Sequence, residues 1–409
     1  MSTVLYQQQG AGISIAASTT RYMPLGCNNR FSDDFLDEAR AQITYRSGGV
    51  LSNLFINVLT NDRAASTFRT RKNAADANMV VTITGSTTGV FEDTSNTDAV
   101  TAAEEWNYSI VTGAGGTVFT FKIAQCLFAA TTNTVSRLTS GGGPGSITTA
   151  SSTVVLPLSG DGPGSNTVDS VVGTIFETGG TLSNLFVNVV SNARTTTTSF
   201  KSRINSASGN LTLDVTASST GLFEDTANSD TVSVNDLVNA SAVTGTGTEA
   251  LSLGIISADF TTTNGSSMLI AVAESGQTVL TGVTTYYPLA GALRTSVTEA
   301  DMNSQANLIM TTSLMQVNLT ANTIVENSLF RLRKGGSNGN QVVTCTGLTT
   351  GVFQDTTNSD ALVATDVVDY SLVTGATGTS LVVRSIALLA DSTVAGGSVI
   401  RRMMMMGVS

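Results

Sequence analysis

The sequence has no histidine among its 409 residues and only three cysteines. Without histidine, the chain lacks the commonest general base and the commonest metal ligand, so an enzyme of this sequence would depend on carboxylates. Cys27, Cys126 and Cys345 are not spaced as zinc or redox pairs. We therefore predict no cofactor and no disulfide framework, and we interpret Cys126 and Cys345 as small core residues.

Charge is also scarce. Charged residues make up 12% of the chain, about half of the usual quarter. The formal net charge of −10 repels phosphate backbones, which disfavours direct nucleic-acid binding. No apolar run is long enough to span a bilayer, and residues 1–12 lack the pattern of a secretion signal. We expect neither a membrane partner nor export by the general secretion route.

One motif occurs three times. The signature Thr-Gly-Val-Phe-Glu-Asp-Thr at 88–94 returns with Leu for Val at 220–226 and with Gln for Glu at 350–356. The distance from Gly89 to Gly221 is 221 − 89 = 132 residues, and from Gly221 to Gly351 it is 351 − 221 = 130 residues. This spacing is the size of a domain and not of a solenoid repeat. We predict three copies of one fold, in residues 1–140 with an N-terminal arm, 141–270, and 271–409 with a Met-rich tail.

Each copy has the pattern of short β-strands. Trp106, Tyr108 and Ile110 alternate with Asn107 and Ser109, and the other two copies repeat this alternation. Turn signals recur roughly every eight to twelve residues, which is typical of a sandwich. The sequence therefore predicts an all-β protein of three tandem antiparallel β-sandwiches. The connectors at 131–152, with a glycine run at 141–145, and at 261–285 are predicted to be loop-rich.

The acidic residues of the signature are the first candidate site. They are Glu92, Asp93 and Asp98 in the first copy and Glu224, Asp225 and Asp230 in the second. Calcium binding through carboxylate oxygens is one interpretation. A tight turn in which Asp and Asn bond their own backbone is the other, and we favour it because Gln354 replaces Glu in the third copy. A glycosidase pair is disfavoured because adjacent strand residues point to opposite faces.

Two basic features are candidate interfaces. The first is a row of alternating basic residues on one strand of each copy: Arg69 and Arg71, Lys201 and Arg203, and Arg331 and Arg333. Such a row either grips an acidic partner or forms cross-strand ion pairs on a solvated face, and both interpretations remain open. The second is the C-terminal segment, which contains Arg401, Arg402, Met403, Met404, Met405 and Met406. Methionine side chains mould to irregular apolar surfaces, so we favour a docked tail.

These motifs carry a resemblance. The repeated signature, the Val-Thr-Gly that closes each late strand, and Arg71-Lys72-Asn73 at the end of the basic strand resemble structural proteins of tailed-bacteriophage virions, namely head decoration, head fibre and tail appendage subunits. The resemblance implies jelly-roll-like sandwiches, a non-enzymatic role, and assembly into a virion in the host cytoplasm. It carries no catalytic residue across to this chain.

Three similar sandwiches can pack about a pseudo-threefold axis or extend as beads, and the connectors permit either arrangement. We expect a capsid decoration or accessory subunit that binds the major capsid protein, other virion proteins or copies of itself. The alternative is a tail fibre or adhesin that binds host-surface glycans. Only 6% of residues are aromatic, and those in strands fall mostly on core faces, which argues against glycan-binding loop tips.

Overall fold

The structure is a computed structural model that describes residues 2–8, 15–26, 36–131, 135–161 and 168–392. Its regular structure is almost entirely β-strand, arranged in six sheets, which confirms the predicted all-β sandwich class. The short helical elements are α1 (Asp169–Val172) and two 3-10 segments, Glu38–Arg40 and Glu299–Asp301. No helix in this part of the chain combines the length and the apolar character needed to cross a membrane.

The strands fall into three consecutive sets, one for each pair of sheets. The first set is β1 (Ser2–Gln8), β2 (Thr20–Met23), β3 (Ile43–Thr44), β4 (Gly49–Asn61), β5 (Ser66–Lys72), β6 (Ala75–Ile83), β7 (Gly89–Val100), β8 (Glu105–Val111) and β9 (Phe119–Ala130). The second is β10 (Val135–Ile147), β11 (Thr153–Leu156), β12 (Gly160–Asp161), β13 (Thr174–Ile175), β14 (Gly180–Asn192), β15 (Thr198–Ile204), β16 (Ala207–Val215), β17 (Gly221–Val232), β18 (Leu237–Thr244) and β19 (Leu251–Thr262). The third is β20 (Ser267–Leu280), β21 (Thr284–Tyr287), β22 (Gly291–Ala292), β23 (Ser304–Gln305), β24 (Met310–Asn322), β25 (Ser328–Lys334), β26 (Ser337–Cys345), β27 (Gly351–Leu362), β28 (Val367–Val373) and β29 (Ser380–Ser392).

The strand order is the same in all three sandwiches. In the first, one sheet has the order β1-β9-β4-β7 and the other the order β2-β8-β5-β6, with β3 beside β8. If the eight main strands are counted along the chain, these orders are 1-8-3-6 and 2-7-4-5, the connectivity of a jelly roll. The ladders are antiparallel except for the short pairs β10–β12 and β20–β22.

Two stretches that the sequence analysis predicted to be loops are strands. β10 and β20 lie inside the predicted connectors and pair with β19 and β29, the last strands of their own sandwiches. The glycines of β10 coincide with a register shift between Gly141 and Gly145, so the strand accommodates them as an irregularity in the ladder. The predicted boundaries at 140/141 and 270/271 therefore fall inside strands that belong entirely to the following sandwich.

Each sandwich has its own core between its two sheets. The first is built around Trp106, Tyr108 and Phe68, all fully buried, and the second and third use the equivalent positions. Cys126 and Cys345 are buried in these cores as predicted, and burial raises the pKa of both thiols to about 12. Cys27 lies outside the described residues.

A bulge in the third main strand shapes the outer surface of each sandwich. The pairing of β4 with β7 shifts register between Ser52 and Leu54, and Asn53 there adopts φ of 53°. The equivalent residues, Asn184 and Leu314, have φ of 54° and 51°. Because a left-handed backbone suits Asn far better than Leu, the third copy is locally strained at Leu314.

Candidate interaction surfaces

The aspartate of the signature is a hydrogen-bond acceptor within its own sandwich. Asp93 accepts the backbone N–H groups of Val80 at 2.9 Å, Ser95 at 3.1 Å and Asn96 at 3.0 Å. Burial would raise the pKa of Asp93, but the hydrogen bonds from Asn96, Val80 and Ser95 outweigh it and hold the pKa below its ordinary value. Val80 lies in one sheet and Asp93 in the other, so this carboxylate joins the two sheets at their edge.

The same arrangement occurs in all three copies. Asp225 accepts the N–H of Thr212 at 2.8 Å, and Asp355 accepts that of Val342 at 2.7 Å. Their hydrogen bonds lower both pKa values against the effect of burial, that of Asp355 to about 2. We call Asp93, Asp225 and Asp355 the aspartate clamp.

The second acidic position of the signature is a further acceptor in the same corner. Asp98 is buried and accepts a hydrogen bond from the Thr70 hydroxyl at 2.5 Å. It also accepts the backbone N–H groups of Asn78 and Met79 at 2.7 and 3.3 Å. Asp230 accepts the equivalent N–H groups of Asn210 and Leu211. Polar backbone groups at this edge would otherwise lack partners, which explains why the acidic pattern recurs.

These hydrogen bonds engage the carboxylates that were candidates for calcium binding or catalysis. Glu92 is exposed and Asp93 is buried, so the adjacent pair does point to opposite faces. Across the described ranges, no group of three or more His, Cys, Asp or Glu side chains is arranged to hold a metal ion. The predicted acidic loop is itself part of strand β7, with its side-chain hydrogen bonds placed at the bulge.

The three sandwiches contact one another through the outer face of the sheet that contains β4, β14 or β24. We call the contacts seam 2–1, seam 3–2 and seam 1–3, the first number giving the sandwich that contributes this face. In seam 2–1, Phe186 and Ile255 enter the core of the first sandwich. In seam 3–2, Ala387 and Leu389 enter the core of the second, and in seam 1–3 Leu127 enters the core of the third.

Equivalent backbone carbonyls receive a hydrogen bond in every seam. Arg137 Nη2 donates to the carbonyl of Thr44 at 2.6 Å in seam 2–1. Gln316 donates to the carbonyl of Ile175 in seam 3–2, and Gln125 Nε2 donates to that of Gln305 at 2.8 Å in seam 1–3. The acceptors occupy the same position in β3, β13 and β23, whereas the donors come from different strands.

The seams close a ring. The second sandwich packs on the first, the third on the second, and the first on the third. In addition, β1, β10 and β20, the first strands of the three sandwiches, contact each other in all three pairings, and Met268 N–H donates to Ser136 Oγ at 3.0 Å. Three equivalent elements in mutual contact define an approximate threefold axis. Of the two arrangements left open by the sequence, the structure has the compact one.

The variable residue of the signature lies at the seams. Glu224 forms an ion pair with Arg46 of the first sandwich, and the equivalent Gln354 donates to Glu177 Oε1 of the second at 2.9 Å. Burial raises the pKa of Glu177 to about 7, and the hydrogen bond from Gln354 offsets this only in part. A glutamate at 354 would therefore face another glutamate, which accounts for the Gln of the third copy.

The predicted basic row lies on the outer face of each sandwich. Thr70 is buried while Arg69 and Arg71 are partly exposed, which confirms the predicted alternation. The second basic residue of each row pairs with the short helical segment of its own sandwich: Arg71 Nε with Glu38 at 2.7 Å, Arg203 Nε with Asp169 at 2.6 Å, and Arg333 Nε with Glu299 at 3.0 Å.

The first basic residue of each row is less engaged. Arg69 pairs with Asp76. The side chains of Lys201 and Arg331 form no ion pair or hydrogen bond with another residue in the described ranges. Arg401 to Met406 lie outside those ranges, so a docked tail stays a prediction.

Sequence analysis missed the buried arginines at one end of the first two sandwiches. Arg63 donates to the carbonyls of Ile15 and Thr117, both at 2.9 Å, and Arg194 donates to that of Thr149 at 2.6 Å. The third sandwich has Ile324 at this position, fully buried. The available signal was the matched Asn-x-Arg at 61–63 and 192–194, which becomes Asn-x-Ile at 322–324.

The seam residues were also missed. Asn57 and Asn188 belong to a repeated apolar run that was interpreted as a buried strand, and they donate across seams to the carbonyls of Ala300 and Ala39. Their repetition in the sequence was a signal, but periodicity cannot show what covers the outer face of a sheet.

Comparison with known proteins adds no relative. No protein-family model matches this chain, and no curated protein sequence matches it.

Proposed function

We propose that this chain is a non-enzymatic structural protein of a bacteriophage virion, most specifically a capsid decoration or accessory subunit that binds the major capsid shell. The observation that carries the proposal is the closed ring of three jelly-roll sandwiches, in which every seam uses the same outer sheet face. A single polypeptide of this shape fits a threefold or quasi-threefold position on a shell as a homotrimer would.

The polar chemistry supports a structural role. The carboxylates of the signature accept backbone hydrogen bonds in all three copies, so the recurring acidic motif builds the fold. The basic residues Lys201 and Arg331 lie partly exposed on outer faces without a partner among the described residues, and such groups suit an acidic protein surface. The tail residues from Arg401 onward are the second contact proposed from the sequence.

The test is binding to phage particles that lack the chain. Purified protein should bind these particles saturably, at a copy number that matches their threefold or quasi-threefold positions, and averaged images should show it there. Lys201→Ala with Arg331→Ala should weaken binding, whereas Lys72→Ala, at a residue that pairs with Glu104 in its own sandwich, should not. Binding to a glycan array without binding to particles would instead support the tail-fibre alternative and overturn the proposal.

A further inference from the structure

One end of the third sandwich carries an apolar patch. Leu280 ends β20, whereas Val325 and Leu348 lie in the connections after β24 and β26, and the three are 60%, 55% and 62% exposed. Large aliphatic side chains this exposed are ordinary when scattered singly, but a contiguous group marks a contact surface.

The three residues lie at the same end of the sandwich. Leu348 N–H donates to the carbonyl of Ile324 at 2.8 Å, which places it beside Val325. Thr374 Oγ1 donates to the carbonyl of Leu280 at 2.8 Å, and Val325 N–H donates to the carbonyl of Thr377 at 2.9 Å. The connection from β28 to β29 therefore contacts both Leu280 and Val325, so the three exposed side chains share one end of the sandwich.

The other two sandwiches lack this patch. Small or polar residues occupy the equivalent positions, and all of them are exposed: Ala16, Ala64 and Ser86 in the first sandwich, and Thr148, Thr195 and Ser218 in the second. The fold therefore does not need large apolar side chains at this end.

The patch also carries an energetic cost. Leu348 adopts φ of 58°, as Ser86 and Ser218 do with φ of 54° and 58°. A left-handed backbone is unfavourable for an ordinary L-residue. A strained leucine that is mostly exposed contributes little to folding, which favours a role for Leu348 in a contact with another molecule.

The patch is small and borders one carboxylate. Three aliphatic side chains give an apolar surface of a few hundred Å² at most, well below the roughly 800 Å² per partner of a stable interface between globular proteins. Glu326, next to Val325, accepts Thr377 N–H at 2.7 Å. Hydrogen bonds from the Thr377 side chain and from its backbone N–H lower the pKa of Glu326. An extended apolar segment with adjacent positive charge fits this surface better than a second globular face does.

This chain contains such a segment. Val399 and Ile400 precede Arg401 and Arg402, and four methionines follow at 403–406. Methionine adapts to irregular apolar surfaces, and the arginines complement Glu326.

The direction of β29 favours the tail of a different copy. Leu280 pairs with Ser380 at the start of β29, and Ser392 at its end pairs with Met310 at the opposite end of the sandwich. β29 has 13 residues and spans about 40 Å. Met403 follows Ser392 by 403 − 392 = 11 residues, which reach about 40 Å only when fully extended. The methionines of the same chain could therefore reach the patch only if the segment after Ser392 were fully extended and ran back along the sandwich.

We propose that residues 399–406 of one chain bind the apolar patch at the end of the third sandwich of a second chain. The contact is heterologous, because the two chains contribute different surfaces, and it links copies head to tail into rows or rings. It goes beyond the proposed shell binding and does not depend on it.

The test is complementation between two variants. The patch variant carries Leu280→Thr, Val325→Thr and Leu348→Ser, which are the residues of the second sandwich. The tail variant carries serine at 403–406. Wild-type chain should associate in a concentration-dependent way by analytical ultracentrifugation, and each variant alone should sediment as a monomer. Their mixture should form only a dimer, because one functional patch and one functional tail remain.

Matched controls separate this contact from loss of folding. The patch variant should melt no lower than wild type, because Ser replaces a strained Leu. Exchanging Thr148, Thr195 and Ser218 of the second sandwich for Ala, Ala and Gly should leave association intact. A monomeric wild-type chain at all soluble concentrations, or a tail variant that associates as wild type does, would overturn the proposal.

Discussion

Two adjacent positions of the signature behave in opposite ways. The aspartate clamp is identical in all three copies, and each clamp residue accepts the same backbone groups of its own sandwich. The residue immediately before it changes from Glu to Gln in the third copy and contacts a different sandwich. The clamp position stays the same because it serves a backbone that the three sandwiches share. The position before it diverges because the residue that faces it differs between the seams.

Removal of the clamp should have the largest effect. Asp225→Ala leaves the N–H groups of Thr212, Ala227 and Asn228 without their acceptor, and we expect the free energy of unfolding to fall by about 2–4 kcal/mol. Glu224→Ala, one residue earlier, should cost about 0–1 kcal/mol because that carboxylate is partly exposed. Urea unfolding of the two variants measures the difference. Equal losses would show that the two positions contribute alike to stability.

A buried position within the third sandwich should give the next largest effect. Asp369 stands where the other copies have Asn107 and Asn239. Burial, together with the nearby charge of Glu299, raises the pKa of Asp369 to about 8 against the opposing effect of Arg333. The folded state therefore holds a proton that the unfolded chain releases near pH 4. Stability from this group is complete below about pH 4 and is lost as pH rises through 8.

Asp369→Asn should remove that loss. We expect the variant to be more stable than the parent by about 1–3 kcal/mol at pH 8 and equally stable at pH 4. Thermal unfolding across this pH range is the measurement. Asp366→Asn in the preceding turn, whose carboxylate pairs with Lys334, is a control that should gain no stability at pH 8. If the parent and the variant had equal stability at pH 4 and also at pH 8, Asp369 would ionise normally.

Glutamate in place of Gln354 at seam 3–2 should lower stability by a smaller amount. Gln354→Glu places a second carboxylate against Glu177, and we expect a loss of about 1–2 kcal/mol above pH 7, where both ionise. Because the pKa of Glu177 is raised to about 7, the penalty should shrink as pH falls toward 5.

The double variant Gln354→Glu with Glu177→Arg sharpens this test. It rebuilds at seam 3–2 the pair that Arg46 and Glu224 form at seam 2–1, so most of the lost stability should return. Denaturant unfolding of the two single variants and the double variant gives the coupling energy. Additive effects would mean that the two side chains do not act on each other.

The smallest effect should come from the bulge. Leu314→Asn relieves the left-handed backbone strain but removes an apolar contact with the core of the second sandwich. The two terms are each about 1–2 kcal/mol and oppose each other, so the net change in stability should be below about 1 kcal/mol. Asn184→Leu adds backbone strain without a compensating gain and should destabilise the protein. Comparison of the melting temperatures of Asn184→Leu and Leu314→Asn tests whether the two substitutions differ in this way.

Much of the fold could be predicted from local pattern. Alternation around Tyr108 placed β8 correctly, and Phe68 with Arg69 gave the two faces of β5, because a strand has a fixed period of two. β10 was missed because its glycines resemble a linker, and only pairing with β19 and β29 identifies β10 and β20 as strands. The acidic signature was interpreted as structural, and Asp93 does accept the nearby N–H groups of Ser95 and Asn96. Its link to the other sheet was not predicted, since the donors Val80 and Thr212 are 13 residues away from their acceptors.

The sequence by itself determined that one β-sandwich pattern occurs three times, because hydrophobic alternation and turn chemistry are local properties repeated at domain spacing. Only the tertiary structure decided that the three sandwiches close into a ring, and that Glu177 meets Gln354 while Arg46 meets Glu224. The physical reason is that a strand pattern records which face of a sheet is apolar, whereas the partner of an outer face depends on long-range packing between segments far apart in the chain.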